Sequence, residues 1–144
     1  MNILFDINVI LDSLFDREPY GKYSALLINA VEESVINGFL TADSITTLFY
    51  LIQKVKNKQN AKNTIKLLLH LFEISPVNRA VIQEAININF SDFEDAVVYQ
   101  SAFFNNCDGI VTSNTKDFMK SKITIYNPKE LLNVIKYKGF NPFS

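Results

Sequence analysis

The sequence predicts an α/β fold, a parallel sheet of four to five strands with helices on both faces, and three observations carry that expectation. Short apolar runs suited to buried strands recur at residues 2–5, 39–42, 72–75, 109–112 and 123–126. Most are separated by stretches whose apolar residues recur at helical spacing. The resulting order, βαα, βαα, βαα, βαβα, alternates strands with helices, as parallel sheets require.

In chain order, the first strand ends at Asp6, and a helix is expected over residues 9–15. SLFDREPYGKYS reads as a loop, with Pro19 and Gly21 as breakers. Leu26, Leu27, Ala30, Val31, Val35 and Ile36 predict an amphipathic helix over residues 20–36, stopped by Asn37-Gly38. After the second strand, Asp43 or Ser44 is expected to cap a helix over 45–55 that buries Leu48, Phe49, Leu51, Ile52 and Val55. A polar turn at 56–60 precedes a helix over 61–71, and Pro76 closes the third strand. Asn78 caps the next helix, and Ser91 with Glu94 forms a capping box for the helix in DFEDAVVYQSAFFNN. Pro128 starts a last helix reaching about Tyr137. No repeat, linker or low-complexity tract interrupts residues 1–144, so one domain is expected.

Composition narrows the function classes. With 144 residues, 48% of them hydrophobic and 20% charged, the chain suits a soluble globular domain. No apolar run approaches the roughly 18 to 20 residues that span a bilayer. Asp6 and Asp12 interrupt the apolar start and no basic segment precedes it, so a cytoplasmic protein without a membrane partner is expected. The single cysteine, Cys107, fits a reducing compartment and a packing role. A Cys/His nucleophilic pair is not expected, because the only histidine, His70, sits in the helical run NTIKLLLHLFEI. The net charge of −1 argues against bulk electrostatic gripping of nucleic acid. Lys54, Lys56, Lys58, Lys62 and Lys66 do cluster, either as a solvated helix end or as a basic rim beside an acidic site.

Three polar sets could carry chemistry. Asp6 follows an apolar strand and must be solvated, paired or metal-bound, unless it or Asn8 caps the next helix. Asp12, one turn past Asn8, could face the same side, with solvent exposure the expected state. Asp92 and Asp95 share one face at a helix start, where two carboxylates repel unless a cation lies between them. DGIVTSNTKDF brings Thr112, Asn114 and Asp117 to a strand's carboxyl end, the edge where parallel α/β sheets bind ligands. Such oxygen donors suit Mg²⁺ or Mn²⁺, and the chemistry favoured is metal-assisted phosphodiester hydrolysis.

Asp6-Ile7-Asn8-Val9-Ile10-Leu11-Asp12, Asp92-Phe93-Glu94-Asp95-Ala96 and Ile110-Val111-Thr112-x-Asn114-x-x-Asp117-Phe118 together resemble the marked motifs of the PIN domain family, in order and spacing. The resemblance implies an α/β/α sandwich, a Mg²⁺- or Mn²⁺-dependent endoribonuclease site, an RNA substrate and often a homodimer. Many small bacterial and archaeal members are toxins with an antitoxin partner. Carried over, Asp6 and Asp95 are metal ligands, Asp92 is an added acid, Thr112 and Asn114 shape the site, and Asp117 is the late acid. Asp6, Asp95 and Asp117 would carry the chemistry.

One departure stands out. The family commonly has an acid in the helix after the second strand, where this chain has Thr46, Thr47 and Leu48. Asp43, about a turn earlier, substitutes only if the chain bends suitably. The alternative function is therefore a catalytically weak or inactive PIN-like module that binds RNA or a protein. The tail KYKGFNPFS, with Tyr137, Phe140 and Phe143, offers either a docking surface or core packing. A phosphatase-like or flap-nuclease-like activity on DNA would use the same acids.

Overall fold

The computed structural model describes residues 1–137 and Gly139; the side chain of Tyr137, with Phe140 and Phe143 and the aromatic tail surface expected from them, lies outside that description. Among the described residues, five strands and seven α-helices follow in the order β1 (Asn2–Phe5), α1 (Ile7–Leu14), α2 (Gly21–Glu32), β2 (Asn37–Thr41), α3 (Ala42–Val55), α4 (Lys58–Leu71) and β3 (Glu73–Ser75). Then come α5 (Arg79–Asn87), α6 (Phe93–Phe104), β4 (Gly109–Val111), a 3₁₀ turn (Thr115–Phe118), β5 (Thr124–Tyr126) and α7 (Pro128–Tyr137).

The sheet runs β3-β2-β1-β4-β5 and every pairing is parallel. β1 is central, and its alternation divides the core. Ile3 and Phe5 pack into one layer with α1, α2, α3, α4 and α7 residues such as Val9, Leu27, Leu48, Leu68 and Leu131. Leu4 points the other way, to Val98, Tyr99, Ala102, Ile110 and Phe118. The result is the α/β/α sandwich. Among the described residues no helix is long and apolar enough to cross a membrane.

Several boundaries differ from expectation for local reasons. Asn37-Gly38 does not end α2; it begins β2. The helix closes earlier, in a Schellman turn: Ser34 takes the left-handed conformation at φ 60°, and Val35 N–H bonds Ala30 C=O at 2.9 Å. Gly38 is needed for space, since a Cβ there would lie 2.6 Å from the Phe72 ring. α3 starts at Ala42 instead of residue 45, and neither Asp43 nor Ser44 is its N-cap, which is Thr41. Leu51 and Val55 are exposed, so the helix buries Ser44, Leu48 and Ile52. The polar turn at 56–60 is largely the first turn of α4, where Asn57 accepts from Asn60 N–H at 2.8 Å. Asn78 caps α5 as expected, accepting from Val81 N–H at 3.1 Å.

Cys107 is buried in the Leu4 layer, and burial, with help from Asp108, pushes its thiol up to about 11. His70 is exposed on α4, so the two do not form a pair.

Candidate functional site

The site grows from the carboxyl edge of the three inner strands. Asp6 N–H makes the last ladder bond of β1, to Val111 C=O at 2.9 Å. Asp6 occupies the N-cap position of α1, yet its side chain makes no capping bond. Oδ2 instead accepts the hydroxyl of Thr112 at 2.8 Å, both groups being buried. Thr112 Oγ1 accepts in turn from Asn114 N–H at 3.1 Å, and Asn114 Nδ2 donates to Asp117 Oδ2. One hydrogen-bonded relay thus joins the acid after β1 to the acid of the 3₁₀ turn.

α6 supplies the second set, in a register shifted by one residue from expectation. Asp92, not Ser91, is the N-cap, its Oδ1 accepting from Asp95 N–H at 3.1 Å. Glu94 is therefore free of the predicted capping box. Asp92, Glu94 and Asp95 all border a cavity of about 200 Å³ that Asp6, Asn8 and Asp117 also line. Because α3 begins at Ala42, Asp43 reaches the same cavity, followed one turn later by Thr47. Thr46 is exposed and Leu48 is buried in the core, so neither completes the site.

Sequence reasoning singled out Asp6, Asn8, Asp92, Asp95 and Asp117, and the fold brings all five to one cavity. Thr112 and Asn114 stand behind it, as partners of Asp6 and Asp117. Asp12 is the exception. It is buried, not exposed as expected, and it does not line the cavity. A left-handed Asp16 at φ 49° turns Arg17 back, so that Arg17 Nε lies 2.9 Å from Asp12 Oδ1. Ser113 Oγ donates to the other oxygen. Glu94 and Ser44 were missed as lining groups. The signal for α3 was the i, i+4 spacing of Asp43 and Thr47, hidden while the helix start was placed too late.

Among the described residues, six carboxylates and no lysine or arginine line this cavity. Burial, followed by the charges of Asp6, Asp92, Asp117 and Glu94, lifts the Asp95 carboxyl to about 7. Asp6 is also raised, chiefly by burial, while the Thr112 hydrogen bond opposes the rise. No three Asp, Glu, His or Cys side chains among the described residues are gathered tightly enough to hold an ion as they stand. The donors are nevertheless all hard oxygens, and their uncompensated repulsion is what a divalent cation would relieve. The Lys54 to Lys66 cluster is exposed around the α3–α4 hairpin, and none of it lines this cavity.

The family model described as PIN domain matches residues 2–116, four-fifths of the chain. The chain belongs to the PIN domain family. The PIN domain match takes in Asp6, Asp43, Asp92, Asp95, Thr112 and Asn114 and stops one residue before Asp117. Over 133 residues the chain is 30% identical to Ribonuclease VapC1 of Aquifex aeolicus, covering 89% of this chain and 91% of that protein. Three solved PIN-like folds superpose well. They are FitAcB from Neisseria gonorrhoeae (TM-score 0.66, 19% identity, covering 88% of this chain and 98% of that one), a toxin–antitoxin complex from Klebsiella pneumoniae (0.66, 18%, 88% and 97%), and VapBC2 from Rickettsia felis bound to a DNA fragment from its promoter (0.63, 16%, 88% and 98%).

Proposed function

We propose that this PIN domain is an endoribonuclease that hydrolyses RNA phosphodiester bonds with the help of Mg²⁺ or Mn²⁺, and that it is the toxin of a toxin–antitoxin pair. The observation that carries the proposal is the cavity that six acids, and no cationic side chain among the described residues, line. The relative called a ribonuclease, and the structural relative described as a toxin–antitoxin complex, support the substrate and the antitoxin partner. A homodimer belongs to the same reading, and size-exclusion chromatography with light scattering tests it.

Asp6, Asp92 and Asp95 would hold the ion, with Asp117 completing the acidic wall. When bound, such an ion polarises a phosphoryl oxygen and lowers the pKa of water. The chain's own groups do the rest. Asp95, raised to about 7 in the metal-free site, would give up its proton as the ion binds and hold the ion as a carboxylate. Thr112 fixes the Asp6 carboxylate and Asn114 fixes Asp117, so these acids are oriented before substrate arrives. Asp43 supplies the acid of α3 that the sequence pattern lacked at residues 46–48.

The second reading, a catalytically weak PIN-like binding module, is favoured by the carboxylates not converging as they stand. The discriminating experiment is RNA cleavage in Mn²⁺ by the wild type and by Asp95→Asn. Cleavage that a folded Asp95→Asn loses supports the nuclease. Cleavage retained at the wild-type rate overturns the assignment, and a wild type that neither cleaves nor binds Mn²⁺ gives the binding module the lead.

A further inference from the structure

Beyond the acidic cavity, α6 borders a second hollow that the proposed chemistry does not use. Four residues past Asp95, about 6 Å along the axis, Tyr99 begins a wall continued by Gln100 and Phe103. Phe90 and two lysines, Lys120 and Lys122, close a cavity of about 240 Å³. Its contents are the opposite of its neighbour's, aromatic and cationic where the other is acidic.

The aromatic floor is fixed. Phe90 stacks on Tyr99 with centroids 5.2 Å apart and meets the buried Phe118 edge-on at 6.1 Å. Phe103, half exposed, stands at the rim, 6.2 Å from Tyr99 and 6.1 Å from Phe104 between ring centroids. Gln100 is only 7% exposed and its side chain lines this cavity. The Tyr99 hydroxyl accepts from Lys122 N–H at 3.4 Å, which leaves its own proton to donate. Lys120 and Lys122 are exposed, and neither is ion-paired with a described carboxylate.

An exposed aromatic ring, an amide with one donor side and one acceptor side, and two lysines without an ion pair among the described residues suit a nucleotide. Bases stack on aromatic rings whatever their identity. Gln reads a base edge that presents a donor beside an acceptor. Lysines meet the phosphates. We propose that this cavity is a nucleotide subsite, holding one unpaired base and its adjoining phosphates in the RNA strand whose cleavage was proposed above. The inference rests on that ribonuclease reading, and it assigns to Gln100 the choice of base and to Lys120 and Lys122 the strand's position.

The test is fluorescence anisotropy of a labelled ten-nucleotide single-stranded RNA, in EDTA at low salt so that no cleavage occurs, with Mn²⁺-dependent cleavage measured in parallel. Phe103→Ala is expected to weaken binding about fivefold or more. The double variant Lys120→Ala, Lys122→Ala should weaken it and flatten the plot of log affinity against log salt by about 1.4, the contribution of two phosphate contacts on a single strand. It should raise KM with little change in kcat, and the Lys→Arg pair should restore both. These substitutions are at exposed positions, so circular dichroism should be unchanged. Wild-type affinity, salt slope and KM in both variants, with cleavage intact, would overturn the subsite and leave the nuclease standing. RNA binding lost in the variants of a protein that never cleaves would keep the subsite and overturn the nuclease. Unchanged RNA affinity with lost affinity for a protein partner would make the surface a protein-docking face and reject the proposal.

Discussion

The hydroxyl of Thr112 donates to Oδ2 of Asp6 at 2.8 Å across 106 residues of sequence. It ties the end of β4 to the end of β1 and favours the ionised form of an acid that burial pushes the other way. Replacing Thr112 with valine keeps the shape and removes the donor. Mn²⁺ affinity should fall about tenfold or more, the usual effect of losing a partner that orients a ligand, while Thr112→Ser stays near wild type. Isothermal calorimetry at neutral pH measures both.

Asp95 makes the metal-free protein sensitive to alkali. Its folded carboxyl binds a proton up to about pH 7, whereas the unfolded chain releases it near the ordinary 3.8. The folded state therefore holds the extra proton between those values, and stability falls as pH rises through that window. Asp6, raised for the same main reason, adds in the same direction. The melting temperature in EDTA should drop from pH 5 to pH 8, and Asp95→Asn should lessen the drop. Mn²⁺ must displace the Asp95 proton, so its affinity should weaken by about tenfold per pH unit below 7.

Asp12 holds structure together rather than lining the acidic cavity. Asp12→Ala strands Ser113 and Arg17, and unfolding in urea should show a loss of about 1.5 to 3 kcal/mol. Arg17→Ala should cost no more than about 1 kcal/mol, because the arginine is partly exposed and its pair with Asp12 is screened.

Gly38 tests the packing of β2 against α4's end. A methyl there would meet Phe72 at 2.6 Å and Val31 at 2.9 Å, and Phe72 is pinned edge-on against Phe5 with centroids 5.0 Å apart. Gly38→Ala should lower stability by about 1 to 3 kcal/mol in urea and leave Mn²⁺ affinity unchanged.

The sheet was legible because its strands are short apolar runs between periodic helices, a pattern that local chemistry alone produces. Element ends were less so. Asn37-Gly38 carries the signal of a helix stop, but Ser34 had already taken the left-handed position, and the glycine answers to Phe72, a residue 34 places further on. The start of α6 offered two caps, Ser91 and Asp92, and the shift between them decides whether Glu94 is used up or faces the cavity. The burial of Asp12 was not legible, since Ser113 lies 101 residues away. Asp6, Asp92, Asp95 and Asp117 were found because charge at strand ends and helix starts is visible without knowing what it touches.

The tie between Asp6 and Thr112 also has a consequence in time. A ribosome adding about 5 to 20 residues each second completes Thr112 roughly 5 to 20 s after Asp6. Until then β4 is missing beside the central strand, the relay to Asp117 does not exist, and the nascent chain carries acids without a pocket. A message broken before that point yields fragments unable to assemble the cluster, so the acids come together only in chains extended past Asp117.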